Sequence, residues 1–441
     1  MKITKELFNK ILAAYIIMQP LLDIFTGLIT KIYGNTLSIG VIIRTLFMAG
    51  IALYAIYVAN KKDKIKLIGY YSAVGVYALL FLLLAYNRYQ LTSIFIQIKG
   101  IIKVIYFPVV LAALYAINKE NEIKIDSKII KWALFIYTFS IFFGKVTGLS
   151  FNTYNSVKRT AGTAGLFYSA NEIGAVLCML APFLINDFIK RKGNNIFNII
   201  SIILLIFAVL EIGTKVPLIG VFGAIIGAII VSIILYFKEK KFIHIKNIIY
   251  SFVTIVLCFF VIGYTPAGIN LEDAYGPIFP KIVKGRVEEQ TGDKIESFED
   301  FQSVFTSKRS DVLKWNKESF EKENLSYKVF GTGYLHTKDG EITEKKLVEM
   351  DYFDIFFNHG LIGMIIIFAP TIFLLWLAAK SVFLNIKKVL VDADMIYTCY
   401  SVLMGILVAL LAGHVLTAPA VSFFLAIALL EVVKKDYKLS K

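Results

Sequence analysis

IFNIISIILLIFAVLEIGTKVPLIGVFGAIIGAIIVSIILYF (196–237) decides the fold class of this chain. It contains two apolar runs, 196–212 and 216–237, each near the roughly 20 residues that cross a bilayer as a helix. Runs of this kind recur along the 441 residues, and 57% of the chain is hydrophobic. A soluble protein would hold about 45–50% apolar residues. The expected fold is therefore an all-α polytopic membrane protein. About 12 transmembrane helices are read, at 7–30, 37–59, 67–86, 94–117, 129–147, 166–189, 196–212, 216–237, 247–265, 352–377, 392–411 and 414–433. Lys2, Lys5 and Lys10 precede the first run, but Gln19, Pro20 and Asp23 interrupt it and no small-residue cleavage site follows. It reads as a retained helix.

The net charge of +15 invites a nucleic-acid reading, and the placement of the charges argues against it. Lys61, Lys62, Lys64 and Lys66 fall in one short link, Lys190, Arg191 and Lys192 in another, and Lys238, Lys240, Lys241 and Lys246 in a third. Lys434, Lys435, Lys438 and Lys441 close the chain. Short Lys/Arg-rich links mark the cytoplasmic side, and they alternate with lightly charged ones. Both termini are then expected in the cytoplasm of a multi-pass cytoplasmic-membrane protein, with the lipid bilayer as its solvent and no nucleic acid as partner. His244 falls on a cytoplasmic link and reads as a surface residue. Cys178, Cys258 and Cys399 all lie in apolar runs, so neither a disulfide framework nor a thiolate metal site is indicated.

The domain organisation follows: transmembrane helices 1–9 over 1–265, an extracytoplasmic loop with short amphipathic helices over 266–350, and transmembrane helices 10–12 with a tail over 351–441. A polar segment of that length between spans 9 and 10 points to function. Within it, 299–320 places Phe301, Phe305, Val312, Trp315 and Phe320 at helical spacing. Thr306 and Ser307 are candidate N-caps before Arg309, and an Arg beside the free N–H groups of a helix start suits an anion. The stretch 327–330 reads as extended, Gly331-Thr332-Gly333 as a turn, and a helix is expected from about Thr343 into the tenth span. On that helix Glu349 would share a face with Tyr352 and Phe353, and Asp351 would lie about 200° round from it.

Other outer links add cations. The fifth-to-sixth link brings Arg159 and leads into a helix with Asn171 and Glu172. The seventh-to-eighth turn brings Lys215, with Pro217 at a helix start. Asp23 and Arg44 sit inside the first two spans, where charge is expensive. They read either as an ion pair locking two helices or as part of a site lining. Asp354 and His359, at the start of the tenth span, are equally open between structure and site. His336 follows the Gly-Thr-Gly turn and is a rival base, and His414 is a weaker one. The Asp351/Asp354 pair is a weak metal signal. With neither a Walker-type loop nor a zinc-type cluster, no metal or cofactor is expected. An outward-facing enzyme of this kind needs a donor already activated. A polyprenyl-pyrophosphate-linked sugar fits, its pyrophosphate clamped by Arg.

Several segments together resemble the O-antigen ligase and O-antigen polymerase superfamily of membrane glycosyltransferases. They are QPLLDIFTGL (19–28), SIGVIIR (38–44), RTAGTAGLFYSANEIGAVLCMLAPFLI (159–185), GTKVPLIG (213–220), SKRSDVLKW (307–315), FGTGYLH (330–336) and EMDYFDIFFNHGLIG (349–363). The resemblance spans nearly the whole chain through the order of these pieces. It implies glycan transfer from undecaprenyl pyrophosphate to a glycan acceptor, with other polysaccharide-assembly proteins as partners. Carried over by position, Arg159, Arg309 and Lys215 would hold the pyrophosphate, and Glu349, with Asp351 and His336 as rivals, would activate the acceptor. The ligase branch usually places His-Asn about eleven residues before the Gly of its GLIG-like segment. Counting back from Gly360 lands on Glu349, so Glu-Met stands there, which suits a polymerase-like branch. Ligase-type transfer is the alternative. From another class, a lipid-linked oligosaccharide flippase or transporter would show two similar halves and mid-membrane polar groups.

Overall fold

The computed structural model describes residues 4–34, 39–89, 94–154, 161–275, 306–338 and 341–439. Its helices are α1 (Lys5–Tyr33), α2 (Ile39–Val58), α3 (Lys61–Tyr89), α4 (Ile94–Glu120), α5 (Ser127–Thr147), α6 (Ala170–Ile189), α7 (Asn195–Ile212), α8 (Lys215–Glu239) and α9 (Phe242–Ile262). The loop that follows holds α10 (Pro266–Tyr275), α11 (Arg309–Glu321) and α12 (Leu325–Phe330). The C-terminal group is α13 (Asp351–Leu384), α14 (Ile386–Val389), α15 (Ala393–Leu411) and α16 (Pro419–Leu439). Two small antiparallel pairs complete the described fold, β1 (Phe151–Asn152) with β2 (Thr163–Gly165) and β3 (Leu335–Lys338) with β4 (Glu341–Glu344).

Among the described residues, eleven helices are long and apolar enough to cross a membrane, and they coincide with the first eleven expected spans. The twelfth, α16, starts at Pro419 rather than 414, because residues 412–418 form a turn. Its apolar part is buried by the other helices, and Glu431, Lys434 and Lys435 shorten its apolar length. Helices α4 and α6 lie deep in the bundle, while α3 and α9 are mostly peripheral. The outward faces carry Leu46, Leu53, Phe252, Phe259, Phe260 and Ile365, an apolar belt suited to lipid.

Short polar residues set the helix ends. Asp126 accepts from Lys128 N, Asn194 from Ile196 N and Phe197 N, and Asp392 from Asp394 N and Met395 N. Gly213 ends α7 at φ 71°, a left-handed residue where glycine carries no steric cost.

The loop departs from expectation at three points. Residues 327–330 are helical, not extended: α12 is a short helix begun at Asn324 and stopped by Gly331 at φ 100°. Six residues are too few to show a period. No helix runs from Thr343. Ile342 and Thr343 are β-branched and pair with Thr337 and His336 across the two strands. Helix α13 begins only at Asp351. The N-cap of α11 is Lys308 in left-handed conformation, not Thr306 or Ser307, although Thr306 Oγ1 still accepts from Ser310 N at 3.5 Å. The part of the expected amphipathic helix before residue 306 lies outside the described residues.

The loop is fastened to the bundle. Arg88, at the end of α3, grips Glu323 with both guanidinium nitrogens at 2.8 and 3.1 Å and lies 4.4 Å over the Tyr327 ring. Tyr89 donates to Leu335 O at 2.6 Å, and Gln97 of α4 accepts from Tyr334 N at 3.0 Å.

Candidate active site

Helix α13 is broken at Gly360 (φ 66°, ψ −172°). A break frees carbonyls that would otherwise sit in the helix ladder. The loop supplies their donors: Thr332 N and Oγ1 reach Phe357 O at 3.3 and 3.0 Å, and Gly333 N reaches Asn358 O at 3.0 Å. A side chain on Gly360 or Gly331 would collide with the facing backbone, so both must be glycine. Lys345 Nζ bridges Thr332 Oγ1 and Asn358 Oδ1 at 3.2 and 3.3 Å, and burial pushes this amine down to about 8. FGTGYLH and NHGLIG are thus two halves of one docking contact. His359 belongs to it: its ring nitrogens meet Tyr77 Oη at 2.9 Å and Tyr334 Oη at 2.6 Å, with no exposure.

This docking leads the chain to Glu349. The residue is not on a helix. It stands at φ 60°, a left-handed position uncommon for a non-glycine residue. Asp354 fixes the bend by accepting from Val348 N at 2.8 Å and Met350 N at 3.2 Å, on either side of Glu349. Asp351 is used differently. It is 1% exposed and accepts from His414 N, Val415 N, Leu416 N and Thr417 Oγ1 at 2.7–3.0 Å. One aspartate holds the segment bearing Glu349, and the other holds the turn bearing His414. Close approach of the two segments requires Gly413, whose added Cβ would meet Glu349 O at 2.6 Å.

Glu349 Oε2 lies 2.9 Å from Arg309 Nη2 and 3.7 Å from His414 Nε2. The His414 imidazole, then the Arg309 guanidinium, outweigh burial and hold the Glu349 carboxyl down at about 2. Burial pulls the His414 imidazole down, but the Glu349 carboxylate, with Glu172 behind it, raises it overall. Glu349 nevertheless stays 47% exposed and Arg309 14%, so the pair is open on one side. Arg309 Nη1 reaches Thr306 O at 3.4 Å, while its Nε is buried with no hydrogen-bond partner among the described residues. The accessible part of the guanidinium borders a cavity, where it is equipped to take an anion's oxygen.

That cavity has a volume of about 590 Å³. It gathers residues from four links at one end of the bundle: Tyr154, Lys215, Arg309 with Glu349, and Gly413. Lys215 opens α8 and lies 4.8 Å over the Tyr275 ring. Asn171 also lines the cavity, in the first turn of α6 behind the Ser169 cap. Arg159 lies outside the described residues, between Tyr154 and Ala161, both of which border this region.

Other expected residues fall elsewhere. His336 is on the β3–β4 hairpin, edge-on to Trp315 at 6.3 Å and 3.4 Å from Thr343 Oγ1, and is not part of the cavity wall. Arg44 and Asp23 form the inter-helix ion pair at 2.7 Å, joined by Gln19 and Tyr137. His244 is buried rather than a surface residue. The residue ranked too low in sequence was His414. Its one signal was a Gly-His pair in a short turn between spans, in a chain with only four histidines.

Residues 5–435 match the family described as O-antigen ligase like membrane protein. The chain belongs to this family. Membership assigns it a glycosyltransferase-type role: transfer of lipid-linked glycan at a membrane, in cell-surface polysaccharide biosynthesis. No curated protein and no solved structure matches the chain.

Proposed function

We propose that this protein polymerises undecaprenyl-pyrophosphate-linked oligosaccharide, with its cavity and large loop on the outer face of the cytoplasmic membrane and both termini inside. The orientation rests on the Lys-rich links at the opposite end of the bundle. The observation that carries the chemistry is the open Arg309–Glu349 pair on the wall of a cavity that also contains Lys215.

The acceptor hydroxyl oxygen attacks the anomeric carbon of the donor. The bond from that carbon to the pyrophosphate oxygen breaks, and its electron pair leaves with the pyrophosphate. Glu349 takes the hydroxyl proton, Arg309 and Lys215 neutralise the leaving group with Arg159 as a third cation, and the anomeric centre inverts. No step calls for a metal or cofactor. In the empty site Arg309 and His414 hold Glu349 too acidic for a good base. Donor pyrophosphate competes for Arg309, and as that contact loosens the carboxylate gains basicity. Donor binding therefore precedes productive acceptor binding. Asp351 and Asp354 act as positioning residues, the first through His414 and the second through Glu349.

The acceptor is another lipid-linked repeat unit, a choice supported by Glu-Met standing where a ligase carries His-Asn. The family's description favours ligase-type transfer to a different acceptor as the second reading. Purified protein in lipid, given lipid-linked repeat unit alone, should release undecaprenyl pyrophosphate and lengthen the glycan. Release only on adding a distinct acceptor would establish the ligase. Movement of substrate across the bilayer without bond formation would sink the enzyme reading in favour of a flippase.

A further inference from the structure

A second cavity, of about 610 Å³, opens at the other end of the bundle. Helix α6 connects the two: Asn171 in its first turn lines the Glu349 cavity, and Ile189 at its C-terminus lines this one. Its wall carries five cations, Lys190, Arg191, Lys238, Lys241 and Lys388, against two carboxylates, Glu239 and Asp392. Asp392 is committed to capping α15, and Glu239 lies between Lys241 at 2.9 Å and His244 at 3.3 Å. Asp394 engages Lys190 at 2.9 Å, which leaves the excess of positive charge on the other wall residues.

Two further observations point to an anion. Helix α9 begins here, and its N-cap, Lys241, makes no side-chain capping bond, so the first-turn N–H groups have no side-chain acceptor from that residue. His244, in that first turn, is 6% exposed and lines the cavity, and its Nδ1 has no hydrogen-bond partner among the described residues.

Beside the cavity lies an apolar groove of about 660 Å³ between α6, α7, α8 and α9. Ile203, Ile206, Leu257 and Cys258 are among its walls, and Arg191 is common to both spaces. Arg191 is held in place there. Its Nη2 bonds Asn247 Oδ1 at 3.2 Å, and its guanidinium lies over the Phe188 and Tyr250 rings at 4.7 and 5.8 Å.

We propose that this end binds one anionic phospholipid. Its headgroup phosphate sits among the cations and the uncapped start of α9, its acyl chain lies in the groove, and Arg191 stands at the neck. A free phosphate would satisfy the same cations but would make no use of the groove beside them, which shares Arg191 with the cavity. The site lies at the end of α6 away from the transfer chemistry and does not depend on which glycan is transferred.

Delipidated full-length protein, titrated by native mass spectrometry and thermal melting, tests this. Phosphatidylglycerol should bind at least about tenfold more tightly than phosphatidylcholine and raise Tm. Lys238→Gln/Lys241→Gln should weaken phosphatidylglycerol roughly fivefold for each cation removed. Lys62→Gln/Lys66→Gln, which removes the same charge from another link, should not. If the first double variant does not survive purification, Lys388→Gln gives the same reading. Equal binding of the two lipids, or equal loss in the control variant, overturns the proposal. So does stabilisation by millimolar inorganic phosphate that matches the lipid's.

Discussion

Two arginine–carboxylate pairs in this molecule have nearly the same contact distance and opposite settings. Arg44–Asp23, between α1 and α2, is closed. Arg44 Nε donates to Gln19 at 2.8 Å, Asp23 accepts from Tyr137 at 2.9 Å, and both side chains are at most 15% exposed. Arg309–Glu349 is open, with a carboxylate half in solvent and a guanidinium nitrogen that has no partner among the described residues. The difference teaches that an ion pair's role is decided by what remains unsatisfied around it. A closed pair locks helices, whereas an open pair can exchange one partner for a substrate.

The comparison can be broken by mutation. Glu349→Gln should lower turnover by about 10²–10⁴-fold, as loss of a general base does, with the protein still folded. Pyrophosphate release measures it, and wild-type turnover would remove Glu349 from the chemistry. Arg44→Ala should cost about 3–5 kcal/mol of stability, because it strands a buried carboxylate. Melting in detergent reads that loss, and an unchanged melt would show that the closed pair locks nothing. Arg309→Lys keeps charge and loses the fork, so kcat/KM for the donor should fall about tenfold while melting hardly changes.

The pH response should separate the pairs further. Glu349 is depressed from 4.5 to about 2, so its contribution is complete above pH 4.5 and is lost as pH falls toward 2. His414 is raised above 6.5, so its contribution is complete below pH 6.5 and is lost as pH rises through the raised value. The Tm advantage of wild type over Glu349→Gln should be largest between pH 4.5 and 6.5 and shrink on both sides. A flat difference would mean the pair does not couple to folding. Smallest of all, His336→Ala should leave turnover within about twofold, as a change off the cavity wall. A larger loss would bring the hairpin back into the site.

The bundle was legible because each span is a long run of one kind of residue, and eleven helices lie where those runs are. The final helix was misplaced by five residues because Val415, Leu416 and Ala418 of the turn read as the start of the apolar run that follows. The site was legible only as a set of residue types. Arg309, Lys215 and Glu349 were marked by charge on links that had to meet, and the structure brings those three to one cavity. Periodicity misled at Glu349. A helix through it would have been regular, but Asp354 takes two N–H groups there and holds a left-handed bend instead. Asp351 and His336 looked as reactive as Glu349 in sequence. What distinguishes them is whether their polar atoms are already engaged, as four donors engage Asp351, and whether they reach the cavity wall, as His336 does not. Those are long-range facts. His414 was underrated because its partner lies 65 positions earlier in the chain.

The interruption at Gly360 also constrains how the protein is assembled. The tenth span carries two carbonyls, Phe357 O and Asn358 O, that accept from Thr332 and Gly333 of the preceding loop. His359 beside them requires Tyr77, made nearly three hundred residues earlier. The broken turn is therefore completed by groups from elsewhere in the chain. Its final packing joins the preceding loop and the third span at one point. A chain with a misrouted loop would lack those donors and leave polar backbone groups in an apolar setting, which is costly.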